Sequence, residues 1–124
     1  MVRLRPHYKL ADVLAAVRAE RCWIARTTAT NHVKARLSFS SVKEANDFIR
    51  DAVQTLKPSD FVEAIVLDSG EPADVYGLSL DGDGDWYVKF KFERSSDGGF
   101  CAVVSFHPPK YPLTTVSKKS LKPW

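Results

Sequence analysis

From residue 61 onward the apolar residues of this chain recur at every second position, and this restricts the fold more than any other feature. Four segments, FVEAIVL (61–67), ADVYGLSL (73–80), WYVKFKF (86–92) and GFCAVVSF (99–106), have strand length and are rich in β-branched and aromatic residues. The connections DSGEP, DGDGD and ERSSDG are turn chemistry. Three short connections in succession predict an antiparallel meander, because a parallel crossover needs about a dozen residues or more.

Ahead of residue 60 the period is helical. Lys9 to Glu20 (KLADVLAAVRAE) places Leu10, Val13, Leu14 and Val17 on one stripe. Cys22 to Ala25 (CWIA) predicts a short strand, and TTATNHVKAR predicts a short helix over 30–37. Ser41-Val42-Lys43-Glu44 has the spacing of a capping box. It should open a helix running to about Leu56 that buries Val42, Ala45, Ile49, Val53 and Leu56, with Lys57-Pro58-Ser59-Asp60 ending it. The expected class is therefore α+β, with N-terminal helices packed on one face of a C-terminal antiparallel sheet. One domain should occupy residues 1–110, and the Pro- and Lys-containing tail, 111–124, should be mostly irregular.

A chain of 124 residues with 44% hydrophobic and 27% charged residues can bury a core as one globular domain. No apolar run approaches the ~20 residues that span a bilayer. The segment MVRLRPHYKL is basic but lacks the apolar stretch of a secretory signal. A cytoplasmic protein with no membrane partner is expected. Cys22 and Cys101 fit neither a metal-ligand spacing nor a disulfide framework, and read as reduced thiols packed in strands.

The run DGDGD (81–85) sets three carboxylates in five residues, which raises the question of a metal loop. An EF-hand beginning at Asp81 needs Gly at its sixth position and Glu at its twelfth. Trp86 and Phe92 stand there, so the run reads as a hairpin turn, where Gly accepts positive φ. No metal or cofactor is expected. Alternation then puts Trp86, Val88, Phe90 and Phe92 on the core face, and Tyr87, Lys89 and Lys91 on the other, exposed, ~7 Å apart along the strand. A register in which Tyr87 faces Ser105 and Asp85 faces His107 would gather Tyr87, Lys89, Lys91, Ser105 and His107 on one open face. A one-residue shift at SSDGG would turn the side chains of the last strand over.

Lysines on an open strand face often serve only to keep sheet edges apart. The functional alternative is that they hold a phosphate backbone while Tyr87 stacks a base or relays a proton and His107 titrates near neutrality. RNA cleavage by 2′-OH attack needs a base, an acid and a cation beside the phosphorane, and side chains can supply all three. The charge distribution fits a polyanion held by the chain ends: residues 1–37 carry +6, 38–75 carry −5, 76–98 carry −2 and 99–124 carry +4. A solvated surface would produce the same balance.

From Arg5 to about His107 the chain resembles the MqsR family of bacterial toxins, mRNA interferases with a RelE-like fold. The likeness lies in the order of short landmarks: RPHYKL at the first helix, ARTT after it, SDF (59–61), ADVY (73–76), WYVKF (86–90) and VVSF (103–106). It implies a type II toxin, an endoribonuclease cleaving single-stranded mRNA, with Tyr87 the active-site tyrosine and Lys89 a neighbouring lysine. It also implies a cognate antitoxin of the MqsA type, a zinc-binding helix-turn-helix protein encoded beside this gene. A non-catalytic RNA- or partner-binding domain of the same fold is the alternative, because three positions depart from the pattern. Glu63, Ala73 and His107 stand where the family carries Lys, Gln and Lys. His107 as acid and Glu63 as base would restore a carboxylate–histidine pair beside Tyr87. Arg5, His7, Lys89, Lys91 and Lys110 are the candidate RNA contacts, and the tail beyond Lys110, which short family members lack, is expected to add phosphate contacts. His32 is expected on the surface.

Overall fold

The computed structural model describes residues 5–123. Helix α1 (Leu10–Arg18), strand β1 (Cys22–Ile24), α2 (Thr27–Leu37) and α3 (Val42–Val53) precede a 3-10 turn at Pro58–Asp60. Strands β2 (Phe61–Val66), β3 (Pro72–Leu80), β4 (Gly84–Glu93) and β5 (Phe100–His107) follow, then a small hairpin of β6 (Leu113–Thr114) and β7 (Ser120–Leu121). The class is α+β, as the change of period predicts.

The meander β2-β3-β4-β5 is antiparallel throughout, but β1 adds to it in parallel beside β5, giving the order β1-β5-β4-β3-β2. The sheet is therefore mixed rather than purely antiparallel.

Ser41 caps α3 as its spacing predicts: its Oγ accepts from the Glu44 amide at 3.1 Å, and Glu44 Oε1 accepts from Ser40 and Ser41. Ala45, Ile49 and Val53 are buried, while Val42, at the first position of the helix, is exposed rather than part of the core. The helix stops at Val53, and Leu56 reaches the core from the turn beyond it. Helix α2 starts at Thr27, three residues earlier than the Thr/Asn signals suggest.

One core fills the space between helices and sheet. Trp86, Val88, Phe90 and Phe92 of β4 all belong to it, with Tyr76 stacked on Phe90 (5.5 Å, 13°) and Trp86 on Phe106 (4.9 Å, 30°). Burying side chains of this size contributes roughly 1.5–3 kcal/mol each. Asp81-Gly82-Asp83 forms the β3–β4 turn, with Gly82 and Gly84 at φ 78° and 84°. Asp83 O accepts the Trp86 indole proton at 2.8 Å, and Asp85 accepts from Ser79 Oγ (2.7 Å) and the Lys122 amide (2.9 Å).

That last contact belongs to the tail. Most of 108–123 is irregular in backbone, as expected, yet it is held firmly against the domain. Val116 N donates to Phe61 O (2.8 Å), Ser117 Oγ to Ser59 O (2.9 Å), and Lys119 Nζ to Asp60 Oδ1 (2.8 Å) and Gly77 O (3.1 Å). Leu121 is fully buried over Gly77, where a Cβ would sit 2.3 Å from its Cδ1. The glycine is thus a socket in the open face of the sheet. Helices cover one face, and the tail hairpin covers one end of the other.

Candidate active site

Tyr87 stands opposite His107, and Lys89 opposite Ser105. The expected pairing of Tyr87 with Ser105 and Asp85 with His107 is thus displaced by two residues. The displacement comes in two steps. Beyond the 94–99 turn the register is one residue off, pairing Phe92 with Cys101 and Phe90 with Val103. An irregularity at Val104 then adds one more before Ser105. Each step alone would send His107 into the core; together they restore parity and return it to the open face.

Glu63 reaches the same face by the same device. Phe61 and Glu63 are two apart and would share a face in a regular strand, yet Phe61 pairs with Tyr76 in the core and Glu63 pairs with Val75. An irregularity at Val62 turns Glu63 over. Two bulges therefore supply two of the three candidate catalytic groups, and β4 supplies the third directly.

The imidazole of His107 stacks on the phenol ring of Tyr87, with centroids 4.7 Å apart and planes 11° from parallel. Lys89 Nζ lies 6.0 Å from the Tyr87 ring centroid. Tyr87, Lys89, Ser105, His107, Lys110, Tyr111 and Leu113 line a cleft of about 230 Å³, so the tail provides one wall. One of its carbonyls sets the tautomer of His107. His107 Nδ1 lies 2.7 Å from Pro108 O, which can only accept, so in the neutral ring Nδ1 carries the proton and Nε2 keeps its lone pair.

Burial holds the His107 pKa below the ordinary 6.5; the Pro108 bond opposes this, and the charges of His32, Lys110 and Lys89 reinforce it. The Tyr87 phenol is pushed up to about 12, by burial first and then by Glu63 and Tyr111. Burial also lowers the Lys89 pKa, helped by Arg26 and Lys110 and opposed by Asp68 and Glu63. At neutral pH the site thus pairs a neutral imidazole with a protonated phenol, beside ammonium groups. Such a set can accept one proton, donate another and stabilise a developing anion.

The other candidates are placed less uniformly. Glu63 shares the face but lies beyond β3, outside the cleft lining, and acts through its charge. Lys89 and Lys91 are half-buried, not exposed, because the tail and neighbouring side chains flank them. Lys91 lies farther along β4 and pairs with Glu71 at 2.9 Å. Lys110 is exposed at the cleft. Arg5 and His7 do not join the site. The backbone amides of His7 and Tyr8 donate to the buried Asp74 carboxylate at 2.8 and 3.1 Å, and His7 Nε2 meets Ile65 O at 3.0 Å. Asp74 pairs with Phe90 on the core face, so this segment lies on the opposite side of the sheet from Tyr87.

Two contributors escaped the sequence reading. His32 on α2 is exposed as expected, yet its ring lies 5.5 Å from that of His107. Arg26, at the end of ARTT's first pair of residues, follows β1 and exerts its charge on Lys89. Only the parallel placement of β1 beside β5 carries Arg26 and His32 here, and nothing local in the sequence marks it.

No protein-family model matches this chain, and no curated protein matches it. Among the described residues no helix is long and apolar enough to cross a membrane.

Proposed function

We propose that this protein is an endoribonuclease that cleaves single-stranded mRNA without needing a metal ion, and that it acts as the toxin of a type II toxin–antitoxin pair in the cytoplasm. The observation that carries the chemistry is the stacked Tyr87–His107 pair beside Lys89 in a cleft. His107 Nε2 takes the proton of the ribose 2′-OH as the oxygen attacks the adjacent phosphorus. The Lys89 ammonium, with Lys110 and Arg26 nearby, offsets the charge that grows on the phosphorane oxygens. The Tyr87 phenol protonates the departing 5′-oxygen, and the products carry a 2′,3′-cyclic phosphate and a 5′-OH. Glu63 helps to keep that phenol protonated until the step needs it.

The order of short motifs shared with the MqsR family supports the toxin reading, a RelE-like fold, and an MqsA-like zinc-binding partner. The test is incubation of purified protein with end-labelled single-stranded RNA in excess EDTA. Cleavage with cyclic-phosphate ends is the expected result. A salt-dependent mobility shift without cleavage would replace the enzyme by a binding domain of the same fold, for which the exchange of two family lysines for Glu63 and His107 would be the reason.

A further inference from the structure

The two cysteines lie 79 positions apart in the sequence, yet they face each other. Cys22 of β1 and Cys101 of β5 are direct partners in the parallel ladder, and both side chains belong to the core. Their thiols are free and both are buried. Adjacent strands lie about 4.8 Å apart, inside the roughly 4.4–6.8 Å Cα separation that a disulfide requires. Their surroundings differ. Cys101 is wholly enclosed, whereas Cys22 lines an open cleft of about 480 Å³ with Val17, Arg18, Glu20, Asp47, Arg50 and Asp51. Arg50 Nε donates to Cys22 O at 3.0 Å, which holds its guanidinium beside that residue.

We propose that Cys22 and Cys101 form a reversible oxidation site, in which a small-molecule disulfide converts the dithiol to an intramolecular disulfide linking β1 to β5. Cys22 is the attacking thiol because the cleft reaches it. Its thiolate attacks one sulfur of the small disulfide, breaks that S–S bond and expels one thiolate, which takes up the proton Cys22 gave. Cys101 then attacks Cys22 Sγ, expels the second thiol and closes the protein disulfide. The protein loses two electrons and two protons, and the oxidant becomes two thiols.

The electrostatics agree with this order. The neighbouring Cys101 thiol, and then Arg50, hold the Cys22 thiol below its ordinary range against the effect of burial; the neighbouring Cys22 and burial raise Cys101 well above it. Arg18 and Arg50 line the cleft on one side of the balance and Glu20, Asp47 and Asp51 on the other.

The test exposes folded protein to glutathione disulfide, alkylates the remaining thiols and reads intact mass and peptide maps, with near-ultraviolet circular dichroism confirming the fold. The wild type should lose two hydrogens, yield one linked Cys22–Cys101 peptide and regain both thiols with dithiothreitol. Cys101→Ser should stop at one glutathione on Cys22, and Cys22→Ser should take up none. The wild-type measurement decides by itself if either variant fails to fold. Two free thiols after oxidation, stable glutathione adducts on the wild type, or a disulfide formed only in urea would each overturn the proposal.

Discussion

The two faces of β4 are built from alternate residues of one ten-residue strand, and they obey different rules. On the helix side, Trp86, Val88, Phe90 and Phe92 pack against three helices, and any well-fitting apolar set would serve. On the other side, Tyr87, Lys89 and Lys91 are half-buried, and their surroundings come from four distant segments: the two bulged strands, the start of α2 and the tail. The helix face therefore carries stability through area removed from water. The open face, on the proposed reading, carries chemistry through the identity of a few polar groups, at some cost in desolvating them.

The largest expected effect separates these roles. His107→Ala should lower the RNA cleavage rate by ~10²–10⁴-fold, since the proposed general base is removed, and should leave the fold intact. Rate measurements with a circular dichroism control check this, and full activity in the variant would remove His107 from the mechanism. The wild-type rate should rise with pH through an inflection below the ordinary 6.5, because the base must be neutral and burial depresses its pKa. The same depression favours the folded state above the unfolded-chain value, and that contribution is lost as pH falls through the folded value. His107→Ala should therefore flatten the acid limb of the stability profile as well. Tyr87, raised to about 12, should add no alkaline limb below pH 10 or so.

The reciprocal change is Phe90→Ala on the helix face. A fully buried ring lost from the core should cost about 3–5 kcal/mol in chemical denaturation, with the Tyr87–His107 geometry untouched in whatever fraction remains folded. Equal damage to rate per folded molecule would show that the faces are not separable.

Gly77→Ala probes the border between them. Its Cβ must displace the buried Leu121, so a loss of about 1–3 kcal/mol is expected, together with faster proteolysis at 111–123. Because Tyr111 and Leu113 form a wall of the cleft, KM for RNA should rise more than kcat falls. An unchanged tail would mean that the socket contributes little.

The smallest effect lies within the open face itself. Each phosphate contact on a single strand contributes about 0.7 to the log–log salt slope of binding. Lys89→Ala should remove close to one such contact, and Lys91→Ala less, since Glu71 already engages its ammonium. Equal reductions would show that RNA displaces Glu71.

Local physics wrote most of the fold into the sequence. Periods of two and of 3.6, a Ser–Glu capping box and Asp-Gly turns depend on neighbours a few residues apart, so the meander, the three helices and the core face of β4 are legible without coordinates. The same locality makes the Tyr87 and Lys89 face readable. What the sequence does not contain is which strands slip. The bulge at Val62 reverses the side-chain parity that alternation assigns to Glu63, the bulge at Val104 offsets the slip at the 94–99 turn and so keeps His107 on the open face, and a bulge is selected by packing across the sheet. Contacts between segments far apart in the chain are equally hidden. They place β1 parallel to β5, bring Cys22 to Cys101 and His32 to His107, seat Leu121 on Gly77, and hold Arg5 and His7 on the wrong side of the sheet for the site. Sequence decided which elements exist because their stability is local; only tertiary packing decided which side chains meet, because register and docking minimise an energy shared by the whole chain.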